Sequence, residues 1–266
     1  MTLLHQAMRA GHAPHRSAPP RRDVLVAGGA GALGAAVLEQ LLACRAFGHV
    51  VVLVSQPLNT ALRGLRTLPE SALEPAPGGD AGPPEDTAVV VFDRERHANG
   101  REQAFVRPEP DRLVALAHAL HERGVKRLVV VLPHAPSMLP DALKRGLANL
   151  DEQALASLGF EHLVFIRSAQ ARNPQRARRH LQRLADWVLA QLQLMIPQRE
   201  RPVRAQKVAQ LTAAIAAQLH AAPSGTRVLP PELVWLASQA ADVESLARDW
   251  LHGRALPELA PAASRM

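Results

Sequence analysis

The stretch Asp23–Leu42, DVLVAGGAGALGAAVLEQLL, decides the fold. A short apolar run breaks into four glycines, Gly28, Gly29, Gly31 and Gly34, after which Leu33, Val37, Leu38, Leu41 and Leu42 recur at helical spacing. That order reads as strand, tight turn, helix. Gly29-Ala30-Gly31-Ala32-Leu33-Gly34 fits G-x-G-x-x-G, while Gly28, Gly31 and Gly34 also fit G-x-x-G-x-x-G. In such a turn the first glycines permit the reversal, Gly31 lets backbone approach a diphosphate, and Gly34 lets the helix lie close to the strand. The amides at the helix start, around Ala32 and Leu33, then face the phosphate charge.

Downstream, His49–Ser55 (HVVVLVS) is a β-branched run without polar alternation, the pattern of a parallel strand covered on both faces. Its tip should choose between NAD and NADP, because an acid there would bond the adenine ribose and repel a 2′-phosphate. The tip is Ser55-Gln56, which tolerates NADP(H), and Arg63 or Arg66 further on are candidates to reach that phosphate or else solvated surface charges.

Beyond the second strand, Leu65–Leu68 is a candidate edge strand, and Pro69–Asp86, rich in proline, glycine and acid, reads as a long surface loop. Thr87–Phe92, Arg127–Leu132 and His162–Arg167 are strands; Asp111–Arg123 and Ala142–Leu158 are helices stopped by Gly124 and Gly159. This alternation predicts an α/β fold, a doubly wound parallel Rossmann sheet of about six or seven strands. Helices follow at Gln175–Met195 and Val203–Leu219, then an edge strand at Arg227–Leu229 and one or two small helices in Pro231–Trp250. The expected organisation is one domain over residues 23–253, a basic tail over 1–22 and a flexible tail over 254–266.

Composition narrows the function. At 266 residues and 47% hydrophobic content the chain can bury a sizeable core. The lone Cys44 excludes an intrachain disulfide and suits a reducing, cytoplasmic setting. No apolar run approaches the roughly eighteen residues needed to span a bilayer. The formal charge is +7, and only Lys126, Lys144 and Lys207 among the 31 basic residues are not arginine. With no tyrosine, five phenylalanines and three tryptophans, stacking platforms for nucleic acid are nearly absent, which argues against that partner. The arginine-rich tail Met1–Arg22 has no apolar signal core, and Pro14, Pro19 and Pro20 break any amphipathic helix of a transit peptide.

Taken together, VLVAGGAGALG, GVKRLVVV at Gly124–Val131, LGFEHLVFIR at Leu158–Arg167 and RPVRAQKVAQLTAAI at Arg201–Ile215 resemble the atypical short-chain dehydrogenase/reductase superfamily, the branch of nucleotide-sugar epimerases and isoflavone reductases. The likeness covers Asp23 to about Gln218. It implies a Rossmann sheet, a NADP(H) or NAD(H) cofactor and, in active members, a serine, a tyrosine and a lysine that handle the proton accompanying hydride transfer. None of the trio carries over: the chain has no tyrosine, Lys144 and Ala148 stand near the expected pair, and the serine-bearing strand end is Val131-Leu132-Pro133.

Candidate stand-ins are His134, in the LPHAPS segment after the Arg127 strand, and nearby Ser137. Phe92 and Asp93, closing the Thr87 strand, and Pro133, closing the Arg127 strand, are expected to border the cofactor; Asp93 and Arg94 would otherwise pair with each other. His118 and His121 share a helix but lack a third ligand at metal-site spacing, so no metal is expected. The serine-hydrolase elbow is absent. Arg172, Arg176, Arg178, Arg179 and Arg183 form a basic cluster suited to an anionic partner or to a solvated face. The sequence thus presents an oxidoreductase acting on a small-molecule substrate with non-standard acid-base residues, or a non-catalytic NADP(H)-binding sensor. The Gln175–Met195 helix suits a homodimer interface or the covering of its own sheet.

Overall fold

The inner strands of this chain are apolar on both sides of the pleat, and both sides are used. In the computed structural model, which describes residues 22–58, 62–73, 85–93, 103–133, 152–168 and 203–256, seven strands form one all-parallel sheet. They are β1 (Arg22–Ala27), β2 (Phe47–Val54), β3 (Leu65–Pro69), β4 (Thr87–Val91), β5 (Arg127–Pro133), β6 (His162–Ser168) and β7 (Gly225–Leu229). Their spatial order is β3-β2-β1-β4-β5-β6-β7, so the chain steps outward from β1 to one edge, returns to the other side of β1 and steps out again. This is the doubly wound Rossmann-type arrangement, with α1 (Gly31–Ala43), α2 (Leu113–Glu122), α3 (Ala205–Gln218), α4 (Pro231–Gln239) and α5 (Val243–Leu251) on its faces. Residues 152–157 are also helical.

Successive strand residues feed two separate cores. Val24 and Val26 of β1, Val50 and Val52 of β2, Val129 of β5 and Val164 of β6 pack with α1, α3, α4 and α5. Leu25, Ala88, Val90, Leu128, Leu163 and Phe165 point the other way, under α2 and Leu155. The period-2 geometry of a strand divides each run between them. Edge strand β3 ends in Pro69, where one flank has no neighbour and a missing amide costs no ladder bond.

The predicted surface loop Pro69–Asp86 differs from expectation at both described ends. Glu70–Leu73 form a 3-10 turn that buries Leu73, and Glu85 is buried where Arg123 Nε meets Glu85 Oε2 at 3.2 Å. The Arg123 guanidinium also donates to the Ala72 carbonyl at 2.9 Å, tying one end of the segment toward the other. These contacts join distant positions, so local composition could not reveal them. The predicted helix Gln175–Met195 and the tail 1–21 lie outside the described residues, as does all of the 254–266 tail beyond residue 256. Among the described residues no helix is long and apolar enough to cross a membrane.

Because every strand is parallel, the sheet has two chemically distinct ends. The amino ends carry the charges: Arg127 Nη1 lies 2.6 Å from Asp86 Oδ2, Arg22 Nε lies 3.4 Å from the same oxygen, and Asp23 meets His49 and Arg66. The carboxyl ends carry the glycine turn.

Candidate functional site

From the end of β1 the chain steps to β2 on one side, and β4 lies on the other, so the crevice of a doubly wound sheet opens at this strand. The turn there is built from residues whose side chains would not fit. Gly28 adopts φ +93°, and a Cβ on it would stand 2.1 Å from the Val91 carbonyl oxygen at the end of β4. A Cβ on Gly34 would stand 2.1 Å from the Gly28 carbonyl oxygen, so α1 rests directly on the turn. Gly31, at φ +79°, opens the helix; Ala32 is exposed beside it, and the Leu33 side chain is buried beneath.

What faces the helix start is a carboxylate of the chain itself. Leu33 N donates to Asp93 Oδ2 at 2.7 Å, and a Cβ on Gly31 would stand 2.6 Å from that same oxygen. The N-cap residue, Ala30, offers no side-chain hydrogen bond, and the first turn holds no acid. Asp93 therefore serves as the anion that a helix amino end favours.

A second element crosses the same place. Val106 N donates to the Leu53 carbonyl at 3.0 Å, Ser55 N to the Ala104 carbonyl at 2.8 Å, and Gly28 N to the Val106 carbonyl at 3.2 Å. With the antiparallel bridge between Val54 and Phe105, these bonds make residues 104–106 a strap between the ends of β1 and β2. Ser55 Oγ adds a 3.2 Å bond to the Ala104 carbonyl. Pro108 Cδ would lie 3.1 Å from a Cβ on Gly28, and the Phe105 ring 3.5 Å from one on Gly29.

The residues singled out in the sequence are placed as follows. Gly28, Gly29, Gly31, Ala32, Leu33 and Gly34 come together with Asp93, and Ser55 reaches them through the strap. Gln56 is exposed at the β2 tip. Phe92 is buried in the core under α2. Pro133 ends β5 opposite Ser168, at the carboxyl end of the sheet. Arg63 precedes β3, whose Leu65 pairs with Val50, which puts it toward the amino end of the sheet. The crossover from β2 to β3 returns the chain to that end. Arg66 lies 3.5 Å from Asp23 Oδ2 at the same amino end. His134, Ser137, Arg94, Lys144, Ala148 and the basic cluster at 172–183 lie outside the described residues.

His118 Nδ1 lies 3.4 Å from Glu122 Oε2, and His121 meets Phe160 edge-on at 5.1 Å. Among the described residues no group of three or more His, Cys, Asp or Glu side chains could hold a metal ion. Sequence reasoning missed the strap and the capping role of Asp93. The one available signal was the apolar triplet Ala104-Phe105-Val106 within an otherwise polar stretch.

No protein-family model matches the chain, and no curated protein does. Solved structures do. A Bacillus halodurans protein described as an NAD-dependent epimerase/dehydratase matches at 15% identity over 81% of this chain and 99% of its own, with a TM-score of 0.45. Triphenylmethane reductase of Citrobacter sp., complexed with NADP(H), matches at 13% identity over 77% and 68%, with a TM-score of 0.42. The Bordetella bronchiseptica enzyme WbmH, in complex with NAD+, matches at 15% identity over 79% and 75%, with a TM-score of 0.40. At these values the fold assignment rests on the strand order itself.

Proposed function

We propose that the chain binds a nicotinamide dinucleotide, NADP(H) or NAD(H), in the crevice at the carboxyl ends of β1, β2 and β4, with the diphosphate against the Gly28–Gly34 backbone. One observation carries this reading. The turn at the strand-order switch is packed so tightly at Gly28 and Gly34 that only bare backbone fits, and it delivers the Ala32 and Leu33 amides to the crevice. The β2 tip, Ser55-Gln56, has no acid to repel a 2′-phosphate, which supports accepting NADP(H) alongside NAD(H).

The enzymatic form of this proposal is an oxidoreductase in which His134 and Ser137 exchange the proton that accompanies hydride transfer to a small-molecule substrate. Bound cofactor would supply the hydride chemistry; the chain's own part would be to hold the diphosphate and to place a proton donor after β5. A second reading, a non-catalytic NADP(H)-binding sensor, is favoured by one specific feature: a chain of 266 residues without a single tyrosine cannot contain the family's usual acid.

Calorimetric titration with NADPH, NADH, NADP+ and NAD+ tests the binding. Saturable binding with Kd below about 1 mM is expected, and its absence for all four sinks both readings. Where binding occurs, a carbonyl-substrate screen of wild type against His134→Ala separates them. Turnover lost on substitution supports the enzyme, and binding without turnover supports the sensor.

A further inference from the structure

We infer that the crevice is closed by the chain's own residues: the Asp93 carboxylate holds the place of a ligand phosphate on the α1 amides, and the 104–106 strap fills the cleft between β1 and β2. A diphosphate-bearing nucleotide then enters only by exchanging with them. The inference rests on the proposed dinucleotide site and concerns its regulation.

The physical argument begins with what α1 lacks. Its N-cap, Ala30, has no side-chain acceptor, and no acid stands in its first turn, so an anion for its amides must come from elsewhere. Asp93 supplies it at 2.7 Å from Leu33 N. The room that Gly31 leaves by having no side chain is taken by that carboxylate, 2.6 Å from where a Cβ would be. A phosphate accepting from the same amide would lie within contact distance of the carboxylate, and two anions that close repel strongly in a partly dry crevice. The two occupants are therefore alternatives.

The strap reinforces the exclusion. Its bonds run to Leu53, Ser55 and Gly28, the backbone groups that line the path from the β2 tip to the glycine turn. Beside Val106 and Pro108 lies a cavity of about 170 Å³, lined also by Leu73, Arg112, Ala115 and Leu116. Ala104 and Val106 of the strap are buried and Phe105 packs against the sheet, so lifting it exposes these side chains, and the adjoining cavity leaves the segment room to move.

The test measures affinity of wild type, Asp93→Ala and Asp93→Asn for NADPH and, separately, for inorganic pyrophosphate, after circular dichroism has shown each variant folded. Asp93→Ala is expected to bind both probes about tenfold or more tightly than wild type. Asp93→Asn, which keeps an acceptor for Leu33 N but loses the charge, is expected to fall between. In parallel, hydrogen exchange of wild type under saturating probe is expected to quicken at the Ser55 and Val106 amides as the strap lifts. Tighter pyrophosphate binding without NADPH binding supports the exchange of anions and overturns the dinucleotide reading. Equal NADPH affinity in all three proteins overturns the exchange and leaves the dinucleotide reading standing. Failure of all three to bind either probe overturns both. If neither variant folds, unchanged protection at Ser55 and Val106 under saturating NADPH or pyrophosphate overturns the inference.

Discussion

Asp93 Oδ2 accepts a 2.7 Å hydrogen bond from Leu33 N, sixty residues earlier in the chain, and so caps a helix that its own sequence leaves uncapped. The bond joins the end of β4 to the start of α1. Loss of a charged cap costs about 1 kcal/mol, so Asp93→Ala is expected to unfold at correspondingly lower urea. A variant that gains nucleotide affinity while losing this much stability would show that one carboxylate serves both purposes.

Gly34 is the least replaceable residue of the turn. Its absent Cβ would meet backbone, the Gly28 carbonyl oxygen at 2.1 Å, and backbone cannot rotate away as a side chain can. Gly34→Ala must push α1 off β1, at a cost of about 3 kcal/mol, the upper range for overpacking. Chemical denaturation should show that loss, whereas Ala32→Ser, on the exposed neighbour, should leave the midpoint unchanged within about 0.5 kcal/mol.

At the opposite end of the sheet, Asp86 holds Arg127 at 2.6 Å while its backbone carbonyl accepts from the Lys126 and Arg127 amides. The Arg127 side chain is only 10% exposed. Asp86→Ala would strand most of a buried guanidinium charge, with Glu161 at 3.9 Å as the remaining carboxylate partner among the described residues. A loss of about 3 kcal/mol is expected, the low end for breaking a buried pair. Replacing Asp86 and Arg127 together by asparagine and methionine should cost less than Asp86→Ala alone, a comparison that thermal unfolding can make.

His162 begins β6 and is 1% exposed, and its Nδ1 has no hydrogen-bond partner among the described residues. Burial lowers its pKa below the usual 6.5; Glu161 opposes the shift, while Arg127 and Arg227 add to it. The unfolded chain therefore takes up this proton at higher pH than the folded chain does. Stability from this group is whole above about pH 6.5 and declines as pH falls from there through the folded pKa. His162→Gln should flatten that part of the stability profile measured by urea titration across pH 5–7; an unchanged slope would remove His162 as its source.

The five inner strands were legible because each is an apolar run, and burial on both faces demands that pattern, whereas the edge strands β3 and β7 carry polar, partly exposed residues. The glycine turn was legible because four glycines within seven residues stand between an apolar run and a helical repeat, although the contacts that require Gly28 and Gly31 come from Val91 and Asp93, far along the chain. The place of Arg63 was not legible, because composition does not state at which end of a parallel sheet a crossover deposits its residues. Asp93 was recognised at a strand end, yet its bond to Leu33 depends on β4 lying beside β1, a fact of topology. The strap was illegible for a similar reason: Ala104-Phe105-Val106 is too short to announce a strand, and its pairing partner belongs to β2.

The helix beside the glycine turn also sets an order of assembly. α1 packs against α3, and Val208, Leu211 and Ile215 of α3, with residues of α4 and α5, supply much of the core on that face. During synthesis β1 to β6 emerge first, and until residues 203–256 follow, this face lacks the helices α3, α4 and α5. The first helix of the sheet thus meets its α3 partner only when the last quarter of the chain has been made, a long-range closure of the kind that slows folding. A nascent chain halted after β6 would lack the α3–α5 cover over Val129 and Val164, an apolar surface of the sort that chaperones exist to shield.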